Sequence, residues 1–463
     1  LASGTSIQNR APVAEFIGVG RHSWWGGGGT ARRWQSPGYP RSVRSTSALD
    51  RASAPEPTIR PERTLWLLSI AHAVNHAQAV IMPMIFLAVI DEFHVGVETI
   101  TFVAAAGAIS SGLVQATFAY VTRHVPRRYL MGIGGILFGV GFAAQGAAPT
   151  FGAFAGTNIV SRIGGAPQHP VGNGLLAEQF PPERRGFAIS AHISGGNVGT
   201  VVVALFGPFL LAAVGWRGVS VIFGLPAALI ALAIVRWVTE RGTDRAAARA
   251  EGSVRQALGQ ISRNPVLRRL YLASILGGGG RGLGVANLFA LLYLTKVLGL
   301  PSSTTDVMYG GLIVLSVPMP LVAGWLSDRL GRRPVIVGAY LGGALGFVIF
   351  ISVGSSLLGL WIGLAVMGLF SFAESPQLQA LLADAAPAGI RDVTFAIYFT
   401  LAFGIGSLWT ALYGVIIDRA GNAAGLPIVF WAMTASFIAA AIVMAPVRDV
   451  VHLGPSPEPV ETV

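Results

Sequence analysis

The chain has 463 residues, 53% hydrophobic and 11% charged, with no cysteine and a mean hydropathy of +0.63; this excludes an ordinary water-soluble enzyme, a disulfide framework and a cysteine-ligated metal. Lys and Arg number 32 against 21 Asp and Glu, a formal net charge of +11, and where those charges fall decides whether they mean nucleic acid or membrane topology. Sixty glycines in so apolar a chain point to closely packed helices, because small residues let transmembrane backbones approach. The expected class is an all-α membrane protein.

Residues 1–60 differ in composition from the rest of the chain. Nine arginines lie between Arg10 and Arg63, with a glycine run at 26–29 and little apolar periodicity. The segment reads as a disordered basic extension, the alternative being an amphipathic targeting or lipid-surface arm. Its stretch 11–20 is broken by Pro12 and Glu15, so a secretory signal is not expected. From Leu65 onward, apolar segments of about 20 residues alternate with short polar breaks, the length that crosses roughly 30 Å of hydrocarbon. Twelve spans are predicted, at 65–90, 100–121, 130–148, 151–176, 187–214, 219–238, 270–298, 307–326, 335–353, 357–382, 395–417 and 426–444. The polar stretch 239–269 divides them six and six. The expected organisation is a six-helix half at 61–238, a basic, partly helical linker at 239–269, a second six-helix half at 270–446 and a tail at 447–463.

Loops after even-numbered spans carry Arg123, Arg127, Arg128, Arg184, Arg185, Arg329, Arg332, Arg333 and Arg391 as well as the basic linker. Those after odd-numbered spans carry Arg217, Lys296 and Arg419 among Asp91, Glu92, Glu98, Asp306 and Asp418. The positive-inside rule puts the first set and both termini in the cytoplasm. The excess of positive charge therefore marks topology, and no nucleic-acid partner is expected. The halves also repeat: Pro167-Gln168, Leu175-Leu176-Ala177-Glu178, Pro181, Arg185 and Phe187-Ala188-Ile189 are echoed by Pro376-Gln377, Leu381-Leu382-Ala383-Asp384, Pro387, Arg391 and Phe395-Ala396-Ile397, 206 to 209 residues later. Such a repeat implies two pseudo-symmetric halves around a midplane site.

After the eighth span the chain reads Gly324-Trp325-Leu326-Ser327-Asp328-Arg329-Leu330-Gly331-Arg332-Arg333. An acid at a helix end can accept from arginines and from a neighbouring helix N-terminus, a charge relay that holds one conformation. The run fits G-x-x-x-D-R-x-G-R-R and resembles the signature loop of the major facilitator superfamily. Its counterpart, residues 119–128, departs from the pattern, with Arg123 where the acid belongs. Glu178 and Asp384 are the candidate substitutes. Within that superfamily, the stretch from Arg162 to Asn173 with its His169-Pro170 pair, the Gly195-Gly196-Asn197 run and the His72-x-x-Asn75 opening are similar to the fosmidomycin-resistance type of efflux protein. Gly195-x-x-x-Gly199 and Gly207-Pro208 resemble the exporter signature incompletely, with Thr200 where proline belongs; small-residue packing explains them equally.

A charge at bilayer depth costs several kcal/mol, so each needs a partner or a purpose. Arg162 falls on a helix where the family commonly carries an arginine for substrate binding or proton coupling; the alternative is an arginine satisfied by backbone carbonyls freed at Pro167 and Pro170. Arg281, flanked by Gly277-Gly278-Gly279-Gly280 and Gly282, comes from the other half. Two arginines facing one cavity would favour an anionic substrate, while pairing of Arg281 with Glu374 is the structural alternative. Glu374 is the leading proton carrier, helped by His72 and His76, which share a helix face at i, i+4. Asn75, Asn197 and His169 complete the candidate substrate set. Two histidines with no nearby carboxylate make a poor metal site, so neither a metal nor a cofactor is expected.

No G-x-x-x-x-G-K-[ST] loop, H-E-x-x-H motif or nucleophile with a base occurs, so an enzyme is not expected. The resemblance implies a secondary transporter of the bacterial inner membrane, monomeric, handling a small-molecule substrate and protons by alternating access. Proton-coupled export of a drug-like or metabolite organic anion leads. Proton-driven uptake of a carboxylate and a non-transporting sensor or scaffold are the alternatives.

Overall fold

The computed structural model describes residues 58–250, 252–404 and 406–449. The expected extension, apart from residues 58–60, and the tail beyond 449 lie outside the described residues. All regular structure among the described residues is helical. The first part comprises α1 (Pro61–Phe93), α2 (Val97–Val121), α3 (Arg127–Gln145), α4 (Phe151–Gly165), α5 (Pro170–Gln179) and α6 (Pro182–Trp237). Then come the short α7 (Thr243–Ala250) and α8 (Val254–Arg263). The last part comprises α9 (Pro265–Gly277), α10 (Asn287–Leu292), α11 (Ser302–Val314), α12 (Pro318–Leu330), α13 (Arg332–Ser352), α14 (Leu357–Ser371), α15 (Glu374–Ala385), α16 (Arg391–Gly404) and α17 (Gly406–Met444).

Local chemistry sets the helix ends. Proline opens α1, α5, α9 and α12, where its missing N–H has no intrahelical partner to lose. Asn264 caps α9, its side chain accepting from Val266 N at 2.9 Å and Leu267 N at 3.2 Å, and Ser253 with Gln256 forms a capping box on α8. Gly215 bends α6 with φ 67° and ψ 172°, and Gly421 bends α17 with φ 76° and ψ 161°. These two left-handed glycines stand 206 positions apart, the offset already seen in the repeated residues.

Among the described residues, seven stretches are long and apolar enough to cross a membrane: Pro61–Phe93, Phe102–Val121, Pro182–Trp237, Ser303–Leu330, Arg332–Ser352, Leu357–Ala385 and Leu408–Met444. Helix length alone thus does not return twelve. The expected spans at 187–214 and 219–238 both lie within the stretch designated α6 and meet at Gly215, whose non-helical φ and ψ break it between them. The span expected at 151–176 is broken by a 3-10 turn, Ala166–Gln168, ahead of Pro170. The one expected at 270–298 is broken by a 3-10 turn, Gly278–Gly280, and by π-helical turns at Gly282–Ala286 and Tyr293–Val297. Proline and glycine interrupt the i to i−4 ladder, and neighbouring helices can re-satisfy the freed groups.

The apolar core falls into separate clusters. One is built on Tyr340, Phe347, Phe350, Phe430 and Phe437 and takes in Ala177 and Ile189. Two others, around Ile81, Phe142 and Phe154 and around Leu68, Val171 and Leu176, use residues 65–238. Outward faces carry exposed Phe102, Phe209 and Leu358, the inside-out pattern of a protein solvated by lipid. At Gly199 a Cβ would collide with the Ala73 backbone, and at Gly195 with Ser69. The glycine pair on α6 is therefore the contact surface for α1, which accounts for the Gly195-x-x-x-Gly199 spacing by packing.

Candidate functional site

The interrupted helices carry the polar side chains inward. Arg162 lies in the last turn of α4 and faces a cavity of about 320 Å³ lined also by Asn75, His76, Gln78, Gln115, Asn158 and His169. Among the described residues no carboxylate makes an ion pair with it. Arg281 sits where its helix is broken, at φ −56° and ψ 133°, between the triple-glycine turn and the first π turn. It faces a second cavity, of about 170 Å³, together with His72, His76, His169, Asn197, Ser375, Gln379 and Tyr398. Its Nε donates to Glu374 Oε1 at 2.8 Å, and its Nη2 reaches the Ser274 carbonyl at 3.3 Å. Glu374 opens α15, is fully buried and accepts from the Tyr340 hydroxyl at 3.3 Å.

The two arginines line different, adjoining cavities, and their charges are met differently. Arg281 is neutralised by Glu374, the ion pair posed as the structural alternative; Arg162 brings to its chamber a guanidinium that no carboxylate of the described residues pairs. The two cavities share a wall made by His76 and His169. Behind it His72 is completely buried, its Nδ1 donating to the His192 carbonyl at 2.9 Å. His76 Nδ1 meets Thr200 Oγ1 at 3.2 Å. The His72 ring centroid lies 4.5 Å from that of His76, 4.8 Å from that of His169 and 4.4 Å from that of His192. The i, i+4 pair on α1 is a feature of sequence spacing; the arrival of His169 and His192 beside it comes from tertiary packing. Asn75 lines the first cavity, whereas Asn197 donates to the Ser316 carbonyl at 2.6 Å, tying α6 to the start of α12.

One end of the bundle carries the arginine-rich loops, and there residues 61–238 and 270–446 are cross-linked. Asp328 accepts from the backbone N–H groups of Gly186 at 3.0 Å and Phe187 at 2.8 Å and pairs with Arg332. Arg332 also donates to Asp384 at 2.9 Å and to the Pro182 carbonyl at 2.6 Å, and Asp384 pairs in turn with Arg185. Gly324 lets α12 press on α6, since a Cβ there would meet Ser190. Gly331 makes the turn between α12 and α13 at φ 97°, a conformation glycine adopts without strain. Arg329 and Arg333 stay at the periphery: Arg329 lies over the Trp325 ring at 3.9 Å, and the Arg333 backbone N–H donates to Asp449 at 2.8 Å.

The counterpart loop solves its missing acid by borrowing. Arg127, the positional equivalent of Arg332, gathers Glu178 at 2.7 Å from α5, Asp244 at 3.1 Å from α7 and Asp392 at 2.9 Å from α16. Asp244 also holds Arg391 at 2.6 Å. Of the two expected substitutes, Glu178 serves this loop, while Asp384 serves the other one. Asp244 and Asp392 carry no signal of this role in the sequence, although Asp392 stands one position after the repeat-equivalent of Arg185. Arg123, which displaces the acid, is buried and donates to the Gly252 carbonyl.

A profile described as the Major Facilitator Superfamily matches residues 68–411 and 276–461. The fosmidomycin resistance protein of Escherichia coli is 24% identical over 382 residues, covering 77% of this chain and 86% of that protein. A putative metabolite transport protein of Haemophilus influenzae is 23% identical over 272 residues; the match covers 56% of this chain and 65% of that protein, so the chain spans just under two thirds of its length. Among solved structures, that of the E. coli fucose:proton symporter superposes with a TM-score of 0.70 at 15% identity, covering 83% of this chain and 97% of that one.

Proposed function

Because the chain belongs to the Major Facilitator Superfamily and is thus a multi-pass membrane transporter, we propose that it exports a small organic anion in exchange for protons by alternating access. The observation carrying this reading is the Arg162 guanidinium, without a carboxylate partner among the described residues, in a chamber that sets polar groups such as Asn75, Gln115 and Asn158 among apolar walls including Met82 and Phe142, in a chain that also buries an Arg281–Glu374 pair. A cationic fork in a low-dielectric cavity selects carboxylate-like ligands. A carboxylate that exchanges a guanidinium partner for a proton can couple that ligand to the gradient. Arg162, Asn75, His169 and Asn197 from residues 61–238 and Arg281 from residues 270–446 contact the substrate across the two adjoining cavities. Glu374, with His72 and His76, carries the proton. Likeness to a fosmidomycin resistance protein supports export over uptake.

In this scheme the chain crosses the bacterial inner membrane twelve times, counting α6 and α17 as two crossings each, bent at Gly215 and Gly421. The α4–α5 and α9–α10 segments count as crossings broken at their turns. Both termini are cytoplasmic, the arginine-rich end is the cytoplasmic gate, here latched shut, and the monomer is the working unit. The test is accumulation of anionic antibiotics and organic acids in cells carrying the intact chain or Arg162→Ala, under an imposed and a collapsed proton gradient. Accumulation lowered by the intact chain alone, and restored on collapse, supports export. Gradient-driven gain of one acid would replace export by uptake, and absence of gradient-dependent flux for every compound would favour a sensor or scaffold.

A further inference from the structure

We propose that His72, His76 and His169 form a binding site for one divalent transition-metal ion of the zinc class, in the wall between the two cavities. One ring nitrogen from each of the three lies within 4.8 Å of the others. Zinc–imidazole bonds of about 2.0–2.1 Å in tetrahedral geometry place ligand nitrogens roughly 3.4 Å apart. Closing that gap asks only for small rotations about the soft χ2 torsions of three rings.

The tautomers favour this use. The His192 carbonyl can only accept, so His72 Nδ1 carries the hydrogen and Nε2 presents its lone pair. That Nε2 is buried and meets no donor among the described residues, an arrangement that folded proteins seldom leave without a purpose. The Thr200 hydroxyl stands 3.2 Å from His76 Nδ1 and can either donate or accept; a metal taken on Nε2 selects the tautomer in which it accepts. A metal-bound histidine characteristically donates its second ring N–H to a carbonyl or another oxygen, which orients the ring and raises its basicity. His169 is brought up by the backbone break between the Ala166–Gln168 turn and α5, where Pro167 and Pro170 bracket it. Imidazoles alone, with neither thiolate nor carboxylate in the group, suit zinc, cobalt, nickel or copper over magnesium or calcium. The fourth position opens toward the cavity that His76 and His169 share with Asn197, Ser375 and Gln379, room for water or an anion. Arg281 lines the same cavity, but its charge is offset by Glu374 at 2.8 Å. The metal and a proton compete for the same lone pairs, and the assignment holds whichever way substrate moves.

The test is titration of the purified, chelator-stripped full chain in detergent with Co²⁺ at neutral pH, read by visible absorption, in which four-coordinate cobalt gives intense d–d bands. One tight equivalent is expected. His76→Gln and His169→Gln should each weaken it at least tenfold, and His124→Gln, remote from the cluster, should leave it unchanged. Thr200→Val keeps all three rings and should weaken binding by about 10- to 100-fold, the range for lost outer-shell partners, so the proposal stays testable if a histidine variant misfolds. Absence of the bands in the unaltered chain, or bands that survive both His76→Gln and His169→Gln, overturns it.

Discussion

Replacing Glu374 by Gln keeps the shape of the side chain and removes its charge, leaving the Arg281 guanidinium without a counter-ion. Glu374 is fully buried and Arg281 is 18% exposed, so water can offset only part of the loss. Removing one partner of a buried pair typically costs about 3–5 kcal/mol, whereas replacing both is often close to neutral. The amide can still accept from Arg281 and face the Tyr340 hydroxyl, which puts the expected cost of Glu374→Gln near the lower end, about 3 kcal/mol. Arg281→Gln should cost a similar amount, since it strands a carboxylate. The double variant should lose much less than their sum, giving a coupling energy of about 2 kcal/mol or more. Unfolding of purified protein in mixed micelles, followed by tryptophan fluorescence across an SDS titration, measures all three. Effects that add within about 0.5 kcal/mol, the behaviour of independent sites, would refute the pair as an energetic unit. The same single variant tests coupling: Glu374→Gln should abolish pH-driven flux and retain substrate binding, and persistent pH-driven flux would remove Glu374 as the proton carrier.

The latch yields a second expectation. Asp328→Asn weakens a charge-assisted acceptor of two backbone N–H groups and Arg332, so a cysteine placed at buried Ser190 in this cysteine-free chain should react with a small thiol reagent about tenfold faster than in the parent, the factor that roughly 1.4 kcal/mol of lost latching would give; an unchanged rate would mean that the latch does not govern access. Packing separates two glycines. Gly199→Ala drives a Cβ into the Ala73 carbonyl and should cost at least about 2 kcal/mol by overpacking, while Gly156→Ala, with nothing within 4 Å, should gain about 0.5–1 kcal/mol from helix propensity; thermal unfolding compares them. Topology is checked by impermeant thiol labelling of intact cells: cysteine at Ala147 should react from outside and cysteine at His124 only after permeabilisation, and the reverse pattern would invert the proposed orientation.

The loop motif at 324–333 was legible because its chemistry is local. An acid at a helix end among arginines and beside a helix N-terminus predicts a charge relay; the structure gives the arginine as Arg332 and the N-terminus as that of α6. Pairing of Arg281 with Glu374 was one of two readings the sequence left open, and the structure has the pair; the span at 270–298, expected as one, is broken at the glycines before Arg281. Twelve uninterrupted spans were not recoverable as helices, since hydropathy registers the length of an apolar stretch and is blind to how Pro167, Gly215 or Gly278 redirects it. The histidine cluster was half legible. The i, i+4 spacing of His72 and His76 is a property of α1, but His169 and His192 reach them from other helices, remote in the chain, which no periodicity encodes. Asp244 was hidden for another reason: in a polar linker an aspartate looks like any solvated charge, and only its burial between Arg127 and Arg391 sets it apart.

That aspartate makes the two halves unlike as parts. The second half carries its own acid, Asp328, inside the loop that uses it. The first half draws one of its three carboxylates from α7, a segment that belongs to neither copy of the repeat. A chain severed within Gly242, before α7, and one severed at Gly252, after it, would thus yield fragment pairs of unequal completeness: in the second pair the leading fragment keeps Asp244 tethered beside Arg127, and in the first it must recover that contact from its mate. The connector functions as a third component of the assembly, serving Arg127 in one half and Arg391 in the other, and its point of attachment decides which half keeps Asp244 when the two are exchanged or expressed separately.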